Sequence, residues 1–112
     1  MSETALADPV FLRLKQELET LYGSRLKRVL LYGSRARGDH QADSDYDVLV
    51  VLEGPIDYWK ELKRLSGLSH DITWDTAGKG NTIVASFKAV TEDQIQQRTG
   101  FMHNVRREMI EL

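Results

Sequence analysis

The chain has 112 residues, enough for one domain with a single hydrophobic core but not for a second catalytic lobe. Lys and Arg number 15 against 17 Asp and Glu, so the net charge of −2 gives no overall basic field for nucleic-acid binding. The absence of cysteine excludes disulfides and cysteine-ligated zinc, and no long apolar run or signal-like leader predicts membrane insertion or secretion, so a cytoplasmic location is expected.

The first predicted element is an amphipathic helix that serves as scaffold. Asp8 suits the N-cap, Pro9 suits the first helical position and Gly23 suits the end. Apolar residues recur at three- and four-residue spacing and form one face, namely Phe11, Leu14, Leu18 and Leu21.

A short apolar run then leads into a turn that is predicted to bind phosphate. The run 29–32 is typical of a strand buried on both faces. Gly33 allows close approach of an anion, and Ser34 adds a hydroxyl donor. The exposed amides of the turn would point at the anion, and Arg35 and Arg37 supply guanidinium groups suited to phosphate.

Two carboxylates mark the beginning of the next predicted strand. The alternation of a strand places Asp45 and Asp47 on one face together with Leu49 and Val51, with the two acids about 6.6 Å apart at Cα. Two acids this close resist ionising together unless a cation lies between them. Because magnesium prefers few carboxylates plus waters and substrate phosphates, this pair beside a phosphate turn predicts a magnesium–nucleotide site.

These motifs resemble the signature of the DNA polymerase beta-like nucleotidyltransferase superfamily, in which Gly33-Ser34 and ten further residues precede Asp45-x-Asp47. The extended segments 33–38 and 44–47 look like the minimal branch of that superfamily, the small proteins that pair with a HEPN-domain toxin. The resemblance covers nearly the whole chain, and it is specific because turn, basic residues, spacing and paired acids coincide.

The resemblance implies an α+β fold, a small mixed β-sheet packed by helices in the approximate order α-β-β-α-β-α, in one nucleotidyltransferase domain over residues 1–112. It implies transfer of a nucleoside monophosphate, AMP from ATP being the expected case, to a hydroxyl with release of pyrophosphate. In toxin–antitoxin members the acceptor is a tyrosine of the partner. Four residues would bind the nucleotide, namely Gly33, Ser34, Arg35 and Arg37. Asp45 and Asp47 would be catalytic and would coordinate Mg²⁺ or Mn²⁺.

The rest of the chain predicts two more helices and one more strand. A helix begins near Ile56 or Asp57, with Trp59, Leu62 and Leu65 toward the core. It either ends at 66–67, so that 70–74 forms a strand, or continues to about Ala77. The run 81–90 is the stronger strand candidate. Residues 91–94 predict a capping box that opens the last helix, which Gly100 interrupts and whose apolar face is Ile95, Met102, Val105 and Met109.

A third carboxylate, which superfamily enzymes usually take from a neighbouring strand, has two interpretations. If 70–74 is that strand, Asp71 completes the catalytic set. If 81–90 is that strand, its inward positions hold Val84, Ala85 or Ser86 and no acid.

The sequence is compatible with three functions. The first is a nucleotidyltransferase with a HEPN-domain partner. The second is an antitoxin or regulatory subunit that keeps the fold but acts by binding its partner. The third, an aminoglycoside-type transferase subunit, is disfavoured because those enzymes carry an additional substrate-holding domain. A homo-oligomer and a hetero-oligomer are both compatible with the resemblance.

Overall fold

The computed structural model describes residues 9–39, 44–78 and 82–112. The elements in chain order are α1 (Pro9–Tyr22), a 3₁₀ turn (Gly23–Arg25), β1 (Leu26–Tyr32), α2 (Ser34–Arg37), β2 (Tyr46–Leu52), α3 (Tyr58–Thr76), β3 (Ala85–Val90), α4 (Glu92–Ile95), α5 (Gly100–Glu108) and β4 (Ile110–Glu111). The predicted N-cap Asp8 and the predicted strand start Asn81 lie outside the described residues.

The four strands form one mixed sheet in the order β3-β2-β1-β4. Strand β1 is antiparallel to both β2 and β4, whereas β2 and β3 are parallel. This confirms the α+β class and the mixed sheet. Two short elements, α2 and β4, were not predicted. None of the helices in the described parts of the chain is both long and apolar enough to cross a bilayer.

The sheet is covered on both faces, and its central strand β2 is buried from Val48 to Leu52. On the first face α1 and α3 pack against alternate strand residues, in a cluster that includes Phe11, Leu14, Leu18, Val48, Val50, Leu65 and Ile72. On the second face the C-terminal helices complete a smaller cluster of Leu30, Leu49, Val51, Val90, Ile95, Met102 and Val105. Because successive strand residues alternate between faces, Asp47 shares the second face with Leu49 and Val51.

Helix α3 is continuous, so the strand alternative for residues 70–74 is wrong. Ile72 is buried on the first face of the sheet, and three hydroxyl groups of α3 tie the helix to the segment that leads into β3. Ser69 donates to the Ala85 carbonyl at 2.7 Å, Thr73 donates to the Ile83 carbonyl at 2.9 Å, and the Ile83 amide donates to Thr76 at 2.9 Å. These side-chain contacts stabilise the helix beyond the Ser-Gly pair at 66–67.

Trp59 is 75% exposed, so the prediction that it faces the core is wrong. The buried stripe of α3 runs through Glu61 and Leu65, and Trp59 lies about 200° around the helix from Glu61. Glu61 is only 2% exposed, and its charge is paired with Arg25 at 2.9 Å and Arg64 at 3.4 Å. A paired acid therefore fills the core position that apolar periodicity assigned to the tryptophan.

The C-terminal region consists of two short helices rather than one. Thr91 and Gln94 form the predicted capping box, in which the Thr91 amide donates to the Gln94 side chain at 2.9 Å. Helix α4 ends at Ile95, and α5 begins at Gly100 with the Thr99 side chain accepting from the Met102 amide at 3.0 Å. The predicted interruption is present, but it spans residues 96–99, and Gly100 is the first residue of α5.

Two substitutions on α3 test the buried stripe. Leu65→Ala removes a side chain that is 2% exposed, and the cavity should cost about 2–5 kcal/mol of unfolding free energy. Trp59→Ala removes a solvent-facing ring and should change the unfolding free energy by less than about 0.5 kcal/mol. Urea denaturation of both variants checks this, and a larger loss for Trp59→Ala would contradict the orientation of α3.

Alkaline pH tests the environment of Tyr22. Burial, and then the charge of Glu61, raises the pKa of Tyr22 to about 12, from about 10 in an unfolded chain. Since the folded state keeps the phenolic proton longer, stability present below the unfolded pKa is lost as pH rises between about 10 and 12. Tyr22→Phe should lose less unfolding free energy over this range than the unmodified chain, as measured by urea denaturation. Equal losses would contradict the burial of this hydroxyl.

Candidate functional site

The phosphate turn predicted from sequence is a tight turn that joins β1 to α2. Gly33 has φ +79° and ψ −161°, a backbone conformation that is essentially restricted to glycine. Its carbonyl accepts from the amides of Ala36 and Arg37, each at 3.1 Å. Gly38 closes α2 in the left-handed region, and its amide donates to the Ser34 carbonyl at 2.9 Å. The turn is thus held by its own backbone.

The turn lies directly beside the acid pair because of the register between β1 and β2. Tyr32 is paired with Asp47 across the antiparallel ladder, so Gly33 follows immediately beside that carboxylate. A Cβ at position 33 would overlap the Asp47 side chain. Glycine is therefore required here for two independent reasons, its positive φ and the close approach of an acid.

The two acids differ in exposure. Asp45 is exposed and precedes β2, whereas Asp47 is half-buried within it. Burial is the largest cause that raises the pKa of Asp47, and the charge of Asp45 raises it further. Arg37 acts in the opposite direction and lowers it, while Glu108 adds to the increase. Within the described part of the chain, burial and the two acidic neighbours thus outweigh Arg37 and disfavour the charged form of Asp47.

The carboxylates at this end of the sheet are compatible with a magnesium ion. Among the residues described, no group of three or more His, Cys, Asp or Glu side chains could hold a metal by itself. Magnesium, however, is commonly bound by one or two carboxylates together with waters and substrate phosphates. Asp45 and Asp47 beside a turn of backbone amides supply that partial set, and a bound cation would relieve the charge that raises the Asp47 pKa.

The two predicted phosphate-binding arginines point to different sides. Arg37 donates to Asp39 at 3.1 Å and to Glu108 at 3.0 Å. Arg35 instead donates through Nε to the Ser44 carbonyl at 3.0 Å, and its guanidinium lies 3.9 Å above the ring of Tyr46. The Tyr46 ring packs on the first face of the sheet, away from Asp47. Arg37 therefore lies on the same side as the acidic residues, whereas Arg35 connects the turn to the beginning of β2.

Glu108 is the residue at this site that sequence reasoning missed. Its Oε1 accepts from the Gly33 amide at 3.0 Å, and its Oε2 accepts from Arg37 at 3.0 Å. A signal was present, since Glu108 lies three residues after the buried Val105 and so continues the α5 face toward the sheet. The short pairing of β4 with β1, which fixes the end of α5, had no comparable signal.

Asp71 is not brought to the acid pair. It is exposed on α3, which packs on the first face, and it lines a groove with Glu17 and Arg64. The prediction of Asp71 as a third catalytic acid is therefore wrong. On the strand that does neighbour β2, Ser86 is paired in register with Asp47 and shares its face.

An open groove lies between α3 and β3 on the side of Asp45. It has a volume of about 520 Å³ and is lined by residues that include Asp45, Ser66, Ser69, His70, Val84 and Ser86. Hydroxyl groups, an imidazole and apolar side chains thus line a groove that also contains an exposed carboxylate. A chemical group larger than a phosphate has room next to Asp45.

The sequence of this chain is similar to a known domain family and to two known proteins. The family described as "Nucleotidyltransferase domain" matches residues 12–98. "Putative protein adenylyltransferase MJ0604" and "Putative protein adenylyltransferase MJ0141", both of Methanocaldococcus jannaschii, are 44% identical over 41 and 39 residues, or 37% and 35% of this chain. The matches span only 41% and 39% of those relatives' own lengths.

A solved structure shares the fold. The crystal structure of a mutant of the toxin-antitoxin MntA-HpeT has a TM-score of 0.52 and 16% sequence identity, covering 90% of this chain and 70% of the other. At that identity the likeness concerns the fold alone.

Two glycine variants separate the roles of the turn. Gly38→Ala places a Cβ in open space at φ +87° and should cost about 1–2 kcal/mol of unfolding free energy for the left-handed backbone. Gly33→Ala should cost more, because the new Cβ also displaces the Asp47 carboxylate. Urea denaturation gives the two costs, and an NMR titration of the Asp47 carboxyl should be altered only by Gly33→Ala. Equal effects of both variants would refute the close packing of Gly33 on Asp47.

Proposed function

Because the chain belongs to the nucleotidyltransferase domain family, we propose that it transfers a nucleoside monophosphate, AMP from ATP, to a hydroxyl group with release of pyrophosphate. One observation carries the proposal: Gly33, at the start of the turn predicted to bind phosphate, packs against Asp47, and the charge of the nearby Asp45 raises the pKa of Asp47. The proposed phosphate donors and the proposed metal-binding acids thus meet at one end of β2.

Each residue has a role that follows from its chemistry. The amides of the turn and the Ser34 hydroxyl bind and orient the terminal phosphates, and the Arg37 guanidinium offsets their charge. Asp45 and Asp47 would hold Mg²⁺ or Mn²⁺, which when bound offsets negative charge on the phosphate oxygens. Orientation by the turn brings the α-phosphorus toward Asp45 and the adjoining groove, where the acceptor hydroxyl displaces pyrophosphate. Arg35 acts indirectly in this proposal, by holding the turn on β2.

The proposed acceptor is a tyrosine of a HEPN-domain toxin partner. The relatives named as protein adenylyltransferases support a protein acceptor, and the fold shared with a toxin-antitoxin protein supports a toxin partner. The groove beside Asp45 is open and carries hydroxyl groups and His70, which suits a polar side chain delivered from another molecule. The partner would supply further contacts that position the acceptor.

A second candidate function is an antitoxin or regulatory subunit that binds its partner without efficient transfer. The observation that favours it is Ser86, a hydroxyl where the register with Asp47 would suit a third carboxylate. A serine cannot accept the acceptor proton as a carboxylate does at neutral pH. Binding of partner and nucleotide would then persist while turnover is slow.

Acid variants with a matched control test transfer. The purified protein is incubated with ATP labelled on the α-phosphate, magnesium and the protein encoded by the neighbouring gene. Asp45→Asn and Asp47→Asn should each lower labelling of the partner by at least about 100-fold, because each removes a charge from the proposed metal site. Asp71→Asn removes an exposed aspartate away from the site and should label at the unmodified rate.

The outcomes separate the two candidates. Label on a partner tyrosine that disappears with both site variants and survives Asp71→Asn supports transfer. Protection from the partner's toxicity without label, unchanged in the Asp45 and Asp47 variants, would instead establish the binding subunit. Omission of the divalent cation should abolish labelling, and labelling that persists without it would contradict the role of the acids.

A further inference from the structure

The donors of the phosphate turn are already bound to an anionic group of the chain itself. Both oxygens of the Glu108 carboxylate are engaged, one by the Gly33 amide and the other by Arg37, each at 3.0 Å. A backbone amide of a glycine turn and a guanidinium are the kind of donors that bind phosphate oxygens. The carboxylate thus makes the contacts that a nucleotide phosphate would need.

The fold holds Glu108 in this position. It is the last residue of α5, and the next residues turn at once into β4, where Ile110 is paired with Leu31 on β1. The Met109 amide donates to the Val105 carbonyl at 2.8 Å, which closes the helix, and Arg28 binds Glu111 at 2.7 Å. The Glu108 side chain is 19% exposed, so it is largely shielded from water.

We propose that Glu108 is an intramolecular competitor of the nucleotide phosphate, and that it sets the affinity of the turn for nucleotide. The inference rests on the proposed function, because it concerns the same turn. A phosphate oxygen and the Glu108 carboxylate cannot both accept from the single Gly33 amide. Their negative charges would also repel each other beside Asp45 and Asp47. Nucleotide binding therefore requires the Glu108 side chain to leave the turn.

The effect on affinity follows from a two-state equilibrium. While Glu108 occupies the turn, only the fraction of molecules with a displaced carboxylate can bind nucleotide, and the apparent affinity falls by that fraction. Hydrogen bonds to a charged group hold such a closed state firmly. Removal of the carboxylate should therefore tighten nucleotide binding about tenfold. A residue that merely positions Arg37 would have the opposite effect, since its loss would weaken binding.

The test compares two glutamates near the C-terminus. Calorimetric titration with magnesium and an ATP analogue that has a methylene bridge between the α- and β-phosphorus gives Kd for the unmodified protein, Glu108→Ala and Glu111→Ala. The two variants change the net charge equally, but Glu111 lies on β4 and binds Arg28 instead of the turn. Glu108→Gln is a second variant that keeps the side-chain shape, and thermal unfolding verifies that each variant is folded.

Tighter binding by Glu108→Ala and Glu108→Gln, with Glu111→Ala unchanged, supports the competitor. Unchanged or weaker binding by the Glu108 variants overturns it, while binding by the unmodified protein leaves the proposed function standing. Tighter binding without any label on the partner would support the competitor and count against transfer. If no form of the protein binds the analogue, both the competitor and the proposed function fail.

Discussion

The antiparallel pairing of Tyr32 with Asp47 is the constraint from which the candidate site follows. One strand ends where the other begins, so the turn after β1 and the acids at the start of β2 meet without any long loop. A shift of one residue would turn Asp47 to the opposite face and replace it beside Gly33 with an apolar side chain. The buried residues of β2 prevent such a shift, because both faces of the strand are packed. Hydrophobic packing thus fixes the position of a polar site.

Among the residues that the structure describes, the site concentrates more acidic than basic side chains. Asp45, Asp47 and Glu108 approach the same end of the sheet, and burial raises the pKa of Asp47 before its acidic neighbours raise it further. Arg37 is the cation that opposes this effect, but it is shared with Asp39 and Glu108. Groups at functional sites often carry such perturbed pKa values. A cation brought with a nucleotide would improve the balance of charge.

The sequence was sufficient to predict the central part of the fold and site. Three features could be predicted because each depends on residues that are close along the chain. They are the glycine-serine turn, the acid pair and the alternation of β2. The exposure of Trp59 could not be predicted from the sequence, because it depends on the ion pair between Glu61 and Arg25, which are distant along the chain. The third-acid alternatives could be decided only when α3 proved continuous, which removed Asp71 and left Ser86 beside Asp47. Glu108 is held near the turn because the next strand, β4, pairs with β1. That pairing involves only two residues of β4, too few to give a recognisable sequence pattern.

The hydroxyl contacts between α3 and the segment leading into β3 bear on how another chain can associate. Strand β3 is at one end of the sheet, and an uncovered edge strand invites pairing with a strand of another protein. Here Thr73 and Ser69 already donate to the carbonyls of Ile83 and Ala85. The opposite edge, β4, has only two residues and offers little ladder to extend. At the beginning of β3 two backbone carbonyls thus already accept from side chains of α3, and the same helix exposes Trp59 and Trp74 to solvent.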